Sequence, residues 1–446
     1  MISFFQNSQT LSQSILTMIS KSYQAAKKED RHKIIFRNCP AISDSDFFFL
    51  CIRRVIGKYD SGRDFLQDLN EDLQENYSRS NFFDSLRSTR RTQSMIQIFQ
   101  HSFDLFEKQA QISCIDYLSE FPELNDYSVF SGDGHFISHS THTIPTKGAK
   151  TYAAGSIYIQ NIRTGNMLPL SPCSDGSYKT HEMPILKDVV SKLTGDHFGK
   201  SKTLWILDRG YIKNNWWEKQ TKKGHYFISQ CKNNFHPFLC GNIPFNQDDP
   251  INRGVKRYYL AGFTSCSSCY TLVDYQDPET GEEYSFITSL QPDFKPGLIS
   301  WLYFKRWNIE KSFDTFKNDL KETKAWAHGM NALKIQSHAI AFAYNFIRLY
   351  HESILMENHP PMSDSNSPKK SNVRLTISEK KYLNQLEKRE KKAAQKNHSL
   401  APFYWLIKRM IKIPSAFIRC FRKCFFQHTL SMTSWKRLND ILYIPL

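Results

Sequence analysis

Four polar residues between Leu302 and Leu320, namely Tyr303, Arg306, Glu310 and Lys317, stand at offsets of 0, 3, 7 and 14. At about 100° per residue they fall within about 60° of arc on one helix face, so they would project as a single stripe. Such a stripe suits phosphate chemistry. Glu310 can ligate a hard divalent cation, Arg306 and Lys317 can hold phosphate oxygens on either side of it, and Tyr303 adds a neutral donor. Alone, the Arg306–Glu310 spacing is the ordinary i,i+4 pair of a surface helix. Two aspartates change its meaning. Asp208 follows the apolar run Leu204-Trp-Ile-Leu207 and precedes Arg209-Gly-Tyr211, and Asp133 closes the alternating run that starts at Tyr127. Both read as strand ends, and α/β sheets place their ligands at the C-terminal rim of their strands. Three carboxylates on two strand ends and one helix match what two-metal phosphoryl transfer requires, with two Mg²⁺ ions about 3.5–4 Å apart sharing one ligand. Asp314, one turn after Glu310, is an alternative ligand.

Positioning these groups needs a sheet and a helix laid on it. Strands are expected at 127–133, 151–160, 166–170, 203–208 and 225–229, with helices at 182–193 and 214–223 between the later ones, which makes a mixed α/β sheet the natural architecture. The strand 203–208 is almost wholly apolar, as in a strand buried on both faces. Residues 235–290 are rich in Gly, Pro, Ser and Tyr and read as a β-rich insertion, with strands at 257–263 and 269–275 and a turn at Asp277-Pro-Glu-Thr-Gly281. Helical periodicity returns at Leu298 for about fifty residues, and Trp307, Phe313 and Leu320 are its apolar contacts to the sheet. Residues 1–122 are helical by the same criterion. Their segment 78–91 carries Arg87, Arg90 and Arg91 beside a short helix, in keeping with a DNA-contacting module. The organisation expected is therefore a helical DNA-binding region over 1–122, a catalytic domain over 123–358 with its insertion at about 235–290, and a linker plus basic helical region over 359–446.

Lys and Arg total 59 against 43 Asp and Glu, a formal charge of +16, which favours a polyanionic partner such as nucleic acid. Hydrophobic residues make up 40% of the chain, enough for a packed interior and too many for a disordered one. No secretory leader and no apolar run long enough for a membrane span is found, so a cytoplasmic, nucleoid-associated protein is expected. The ten cysteines form no disulfide framework and read as free thiols. Cys266 and Cys269 make one C-x-x-C, but no second pair stands at zinc-finger spacing, so a structural zinc is the weaker reading. His139 and His142 read as a polar loop. The aromatic, basic stretch around 403–409 suits a partner helix or a DNA end better than a membrane.

The motif Tyr303-x2-Arg306-x3-Glu310-x6-Lys317, the element Leu207-Asp-Arg-Gly-Tyr211 and the strand end Gly132-Asp133 together resemble the DDE transposases of bacterial insertion sequences, in the subgroup named for the first motif. The resemblance covers roughly residues 125–350. It implies a ribonuclease-H-like core carrying the insertion, with Asp133, Asp208 and Glu310 as catalytic metal ligands, and Tyr303, Arg306, Lys317 and Arg209 on DNA phosphates. It also implies two Mg²⁺ ions, with Mn²⁺ accepted in their place, and a homodimer bound to terminal inverted repeats and target DNA for cut-and-paste transposition. Two alternatives fit the same residues: a ribonuclease-H-like nuclease that only hydrolyses, and a non-catalytic DNA-binding repressor derived from a transposase.

Overall fold

The computed structural model describes residues 11–29, 42–73, 77–137, 153–174, 182–192, 200–264 except 233, 234 and 236, 267–358 except 279, and 413–426. His139, His142, the linker and the basic stretches of 380–392 and 403–409 lie outside them. The described residues before the sheet form α1 (Leu11–Glu29), α2 (Asp44–Gly57), α3 (Gly62–Leu73), α4 (Arg79–Arg87) and α5 (Thr89–Ile112). Serines start three of them. The hydroxyls of Ser43, Ser78 and Ser88 accept from the backbone N–H of Asp46, Asn81 and Arg91 at 3.0, 3.2 and 3.3 Å, which satisfies donors that the first helical turn leaves orphaned. Ser88 thereby splits the arginine-bearing segment into two helices rather than one.

Among the described residues nine strands follow and form one sheet in the order β3-β2-β1-β4-β5-β9-β8-β7-β6. They are β1 (Tyr127–Ile137), β2 (Ala154–Asn161), β3 (Met167–Ser174), β4 (Lys202–Leu207), β5 (His225–Gln230), β6 (Phe238–Asn242), β7 (Val255–Gly262), β8 (Tyr270–Gln276) and β9 (Glu283–Thr288). Strands β1, β4 and β5 run parallel, while β2 and β3 pair antiparallel on one side. This is the mixed, ribonuclease-H-like α/β architecture that the sequence predicts. Helices α6 (Glu182–Lys192) and α7 (Asn214–Thr221) supply the crossovers. The β-rich stretch is not a separate module. β9 hydrogen-bonds to β5 from Ile228↔Thr288 to Gln230↔Phe286, so its four strands extend the same sheet. Strands β6 and β9 escape the period-two reading: β6 is too exposed to alternate, and β9 runs from exposed to buried along its length.

The fifty-residue helix expected from Leu298 is broken into α8 (Pro296–Lys305), α9 (Trp307–Asn318) and α10 (Met330–Asn358). Between α8 and α9 the hydrogen bonding tightens to i→i+3, Arg306 N to Tyr303 O at 3.0 Å and Ile309 N to Arg306 O at 3.2 Å. Arg306 keeps right-handed helical dihedrals there, φ −52° and ψ −36°. The α9–α10 connection ends at Gly329, whose φ of 92° favours glycine. A further helix, α11, covers Ser415–Phe426.

The sheet is covered on both faces. Val129, Leu204, Ile206 and Ile228 pack with Leu298 and Leu302 of α8, whereas Phe130, Trp205, Leu207 and Phe227 pack with α6 and α7. A third core joins the N-terminal helices to α9, α10 and α11 through residues such as Phe48, Phe106, Phe342 and Phe421. The helices α1 to α5 therefore share an interior with the helices that follow the sheet. A buried polar knot fastens them: Glu107 on α5 accepts from Asn161, Thr164 and Asn166 of the β2–β3 turn at 3.0, 2.8 and 2.7 Å.

Candidate active site

Parallel pairing between β1 and β4 runs from Tyr127↔Lys202 to Ser131↔Ile206. Two residues further along each strand stand Asp133 and Asp208, so the register alone carries both carboxylates to the same rim of the sheet. The strand alternation then sets their direction. Asp133 shares a face with Val129, and Asp208 with Leu204 and Ile206; that is the face covered by α8. Asp208 lies where the sequence predicts it, just past β4, with its backbone C=O accepting from Tyr211 N at 3.0 Å in the one-turn helix Arg209–Tyr211. Asp133 does not. It sits inside β1, which continues to Ile137 by pairing with β2 after β4 has ended. The antiparallel neighbour prolongs the strand past the point where its parallel neighbour stops, and this exposes one flank of Asp133.

Arg306 closes the site from the helical side. Its Nη1 lies 3.4 Å from Asp133 Oδ2 and its Nη2 lies 2.9 Å from Glu310 Oε1. One guanidinium thus links the strand carboxylate to the helix carboxylate. Burial disfavours the charge on Arg306, but Tyr303, Glu310, Asp133 and Asp208 together more than offset this and raise its pKa. Burial pushes Asp133 up to about 6, with the Gly134 N–H and Arg306 acting against the rise and Glu182 and Glu310 adding to it. Tyr303 is buried, reaches Gln230 Oε1 at 3.4 Å, and is raised by burial while Arg306 lowers it and Asp208 raises it.

The polar stripe is therefore real but shared between two helices, with Tyr303 on α8, Arg306 at the junction and Glu310 and Lys317 on α9. Lys317, Arg209 and Asp314 are exposed. Of the three expected apolar anchors, Phe313 and Leu320 are buried, but Trp307 is 43% exposed and faces outward beside Arg306. Among the described residues, no three acidic, histidine or cysteine side chains approach closely enough to enclose an ion. Asp133 and Glu310 meet through Arg306 instead.

The N-terminal arginines divide. Arg91 is buried, donating to Asp44 Oδ1 at 3.2 Å and to the backbone oxygens of Ser43 and Ile42 at 3.0 and 2.5 Å. Arg90 grips the same carboxylate at 2.8 and 3.1 Å. Both are engaged in holding the start of α2. Arg87 is about half exposed, with Asp84 at 3.4 Å.

Three site residues escape the sequence reading. Glu182, in the first turn of α6, accepts from Tyr211 Oη at 2.5 Å and brings a further carboxylate to the rim. It lies close over Gly134, where an added Cβ would come within 2.9 Å of Glu182 Oε1. Burial first, and then Glu182, Asp133 and Asp208, raise the Tyr211 phenol far above its ordinary value. His135, two residues past Asp133 on the same face, stacks on Phe313 at 4.8 Å and pairs with Glu322 at 2.9 Å, clamping α9 and its following loop onto β1. An acid in a helix's first turn ordinarily reads as a dipole partner, and nothing in the spacing of Tyr211 or His135 announces a contact so remote in sequence.

The aromatics of the insertion belong largely to the core: Tyr258, Phe263 and Tyr270 are buried, as is Trp301, which packs on Phe121 at 4.8 Å. Tyr259 is partly buried. No helix among the described residues is long and apolar enough to cross a membrane.

Residues 126–346 match the model of a protein family described as Transposase DDE domain. No curated protein matches the chain.

Proposed function

We propose that this chain, through its transposase DDE domain, cuts and rejoins DNA at the terminal inverted repeats of an insertion sequence in a cut-and-paste reaction, working as a homodimer. The observation that carries the reading is the convergence on one guanidinium: Arg306 contacts both Asp133 and Glu310, at the rim to which the β1–β4 register delivers Asp208.

The donor set fits hard divalent cations. Asp133, Asp208 and Glu310 offer carboxylate oxygens alone, the ligand type that Mg²⁺ and Mn²⁺ prefer. Burial, with Glu182 and Glu310 adding to it, also leaves Asp133 with a raised proton affinity, as expected of a site short of positive charge. Asp133, Asp208 and Glu310 would hold two Mg²⁺ ions. When bound, the metal polarises the scissile phosphate and activates the attacking oxygen. The remaining side chains position the DNA. Arg306 and Tyr303 hold phosphate oxygens from the helix junction, Lys317 does so about three turns further along α9, and Arg209 does so from the strand end. Exposed Trp307 offers a flat surface to an unpaired base. Arg87 contacts the backbone from the N-terminal helices.

The test is strand transfer. Duplexes carrying the inverted repeats that flank the coding sequence, incubated with the protein, Mg²⁺ and a target plasmid, should yield joined products, and Glu310→Gln should yield none while still shifting the duplex in a gel. Cleavage without joining would replace this reading with a hydrolytic nuclease. Binding that is unchanged, with no cleavage by either protein, would replace it with a repressor.

A further inference from the structure

Asp208 heads the one-turn helix Arg209–Tyr211 in extended conformation, φ −66° and ψ 157°, and its side chain makes no capping hydrogen bond to the turn. An aspartate in that place ordinarily turns its carboxylate onto the N–H groups two or three residues ahead. Here the backbone alone closes the turn, Tyr211 N donating to Asp208 O at 3.0 Å. No side chain among the described residues hydrogen-bonds the Asp208 carboxylate either. Its aim therefore follows the turn, and the turn follows whatever holds Tyr211. Two further contacts do so. The Tyr211 C=O accepts from the indole Nε1 of fully buried Trp217 on α7 at 3.1 Å, and its Oη donates to Glu182 Oε2 at 2.5 Å. Trp217 fixes the turn to the helix that follows it, whereas Glu182 lies over Gly134, the residue next to Asp133. The phenol bond thus spans the rim, from the turn after β4 to the flank of β1.

We propose that Tyr211 and Glu182 are positioning residues of the site: their hydrogen bond is a strut that fixes the Asp208 turn against β1, so that Asp208 and Asp133 are presented together to a divalent cation. This rests on the reading of Asp133, Asp208 and Glu310 as metal ligands. The strut is needed because a carboxylate on a one-turn helix has only three residues of regular backbone behind it, and a ligand left to swing loses the geometry a metal selects. Arg209, exposed on the same turn, is set by the same bond. The part of Glu182 is to accept. An amide carbonyl accepts from a phenol as a carboxylate does, whereas a side chain that ligates a hard cation contributes its negative charge as well. Glu182→Gln therefore preserves a strut and impairs a ligand, and Glu182→Ala removes both.

The test is Mn²⁺ binding by the full-length protein at pH 8, read from the electron paramagnetic resonance signal of the free ion, with no DNA present. Tyr211→Phe, which keeps the ring and removes the donor, and Glu182→Ala should each weaken binding about 10–100-fold, while Glu182→Gln should stay within about threefold of wild type. In cleavage assays Tyr211→Phe should regain most of the wild-type rate at high Mg²⁺, which a residue acting on the DNA itself would not. Glu182 is only partly buried, so should Tyr211→Phe fail to fold, the contrast between Gln and Ala at position 182 answers alone. Folded Tyr211→Phe that binds Mn²⁺ within about twofold of wild type would overturn the proposal. So would a loss in Glu182→Gln as deep as in Glu182→Ala, which would make Glu182 a ligand. Wild-type protein that binds no Mn²⁺ would instead remove the metal site on which the proposal rests, so the two failures are told apart.

Discussion

Asp44 and Asp133 are both aspartates gripped by arginine, and they show what separates a carboxylate saturated inside the fold from one left partly solvated. Asp44 is completely buried, and Arg90 and Arg91 reach it with three contacts of 2.8–3.2 Å. Its charge is spent inside the protein. Asp133 keeps 27% of its side chain exposed, accepts from the Gly134 N–H at 2.8 Å, and has Arg306 only at a stretched 3.4 Å. That guanidinium is shared with Glu310, itself 51% exposed. A group already saturated by short, buried bonds has nothing left to offer a metal or a phosphate, whereas a partly solvated group with a divided partner does.

Several substitutions can break this contrast. The largest effect is expected at the rim: Asp133→Asn, Asp208→Asn or Glu310→Gln should lower DNA cleavage on the order of 10³-fold or more, about 4 kcal/mol of transition-state stabilisation. Melting should show each variant folded. Cleavage within tenfold of wild type in any of the three would remove that residue from the catalytic set. Asp44→Ala should do the reverse, costing about 3–5 kcal/mol of stability because Arg91 is left as an unpaired buried charge, with activity per folded molecule kept. Denaturant midpoints measure the loss, and a cost under about 1 kcal/mol would mean that Asp44 is not the closed pair described.

A pH series sharpens the comparison. The Asp133 pKa is raised by folding to about 6, so protonation favours the folded state: that contribution is complete below about pH 4 and disappears as pH rises through 6. In chelator, Asp133→Asn should thus be more stable than wild type by about 1–2 kcal/mol at pH 8, discounting for partial exposure, and no more stable at pH 4. Mg²⁺ at pH 8 should raise the melting temperature of wild type and leave that of Asp133→Asn unmoved. The smallest effect belongs to Arg87→Ala, which should weaken DNA binding about threefold and reduce the salt slope by no more than about one. An unchanged salt dependence would take the exposed arginine of the helical region off the DNA.

Much of this was legible in local pattern. The strand Leu204–Leu207 announces itself because every side chain in it is apolar, as a strand covered on both faces demands, and Asp208 stands out as the first charge after it. The helices α1 to α5 and the crossover helices α6 and α7 follow from periodicity in the same way. Less legible were features whose cause lies far away in the chain. Asp133 reads as a strand end because a glycine follows it, yet β1 runs on to Ile137 because β2 continues to pair with it. Arg90 and Arg91 read as DNA ligands because a row of arginines beside a helix has no local partner, and Asp44 lies 46 and 47 residues upstream.

By itself the sequence determined which residues could do chemistry: carboxylates after apolar runs, and basic groups at helical spacing around Glu310. The tertiary structure decided which of them meet. The β1–β4 register set Asp133 beside Asp208, the break at Arg306 turned one stripe into a bridge between helix and strand, and the same packing withdrew Arg91 into the core and brought Glu182 to the rim. The physical reason is that residue type and spacing follow from local backbone periodicity, whereas partnership is a property of strand register and side-chain packing between segments that only the folded chain places together.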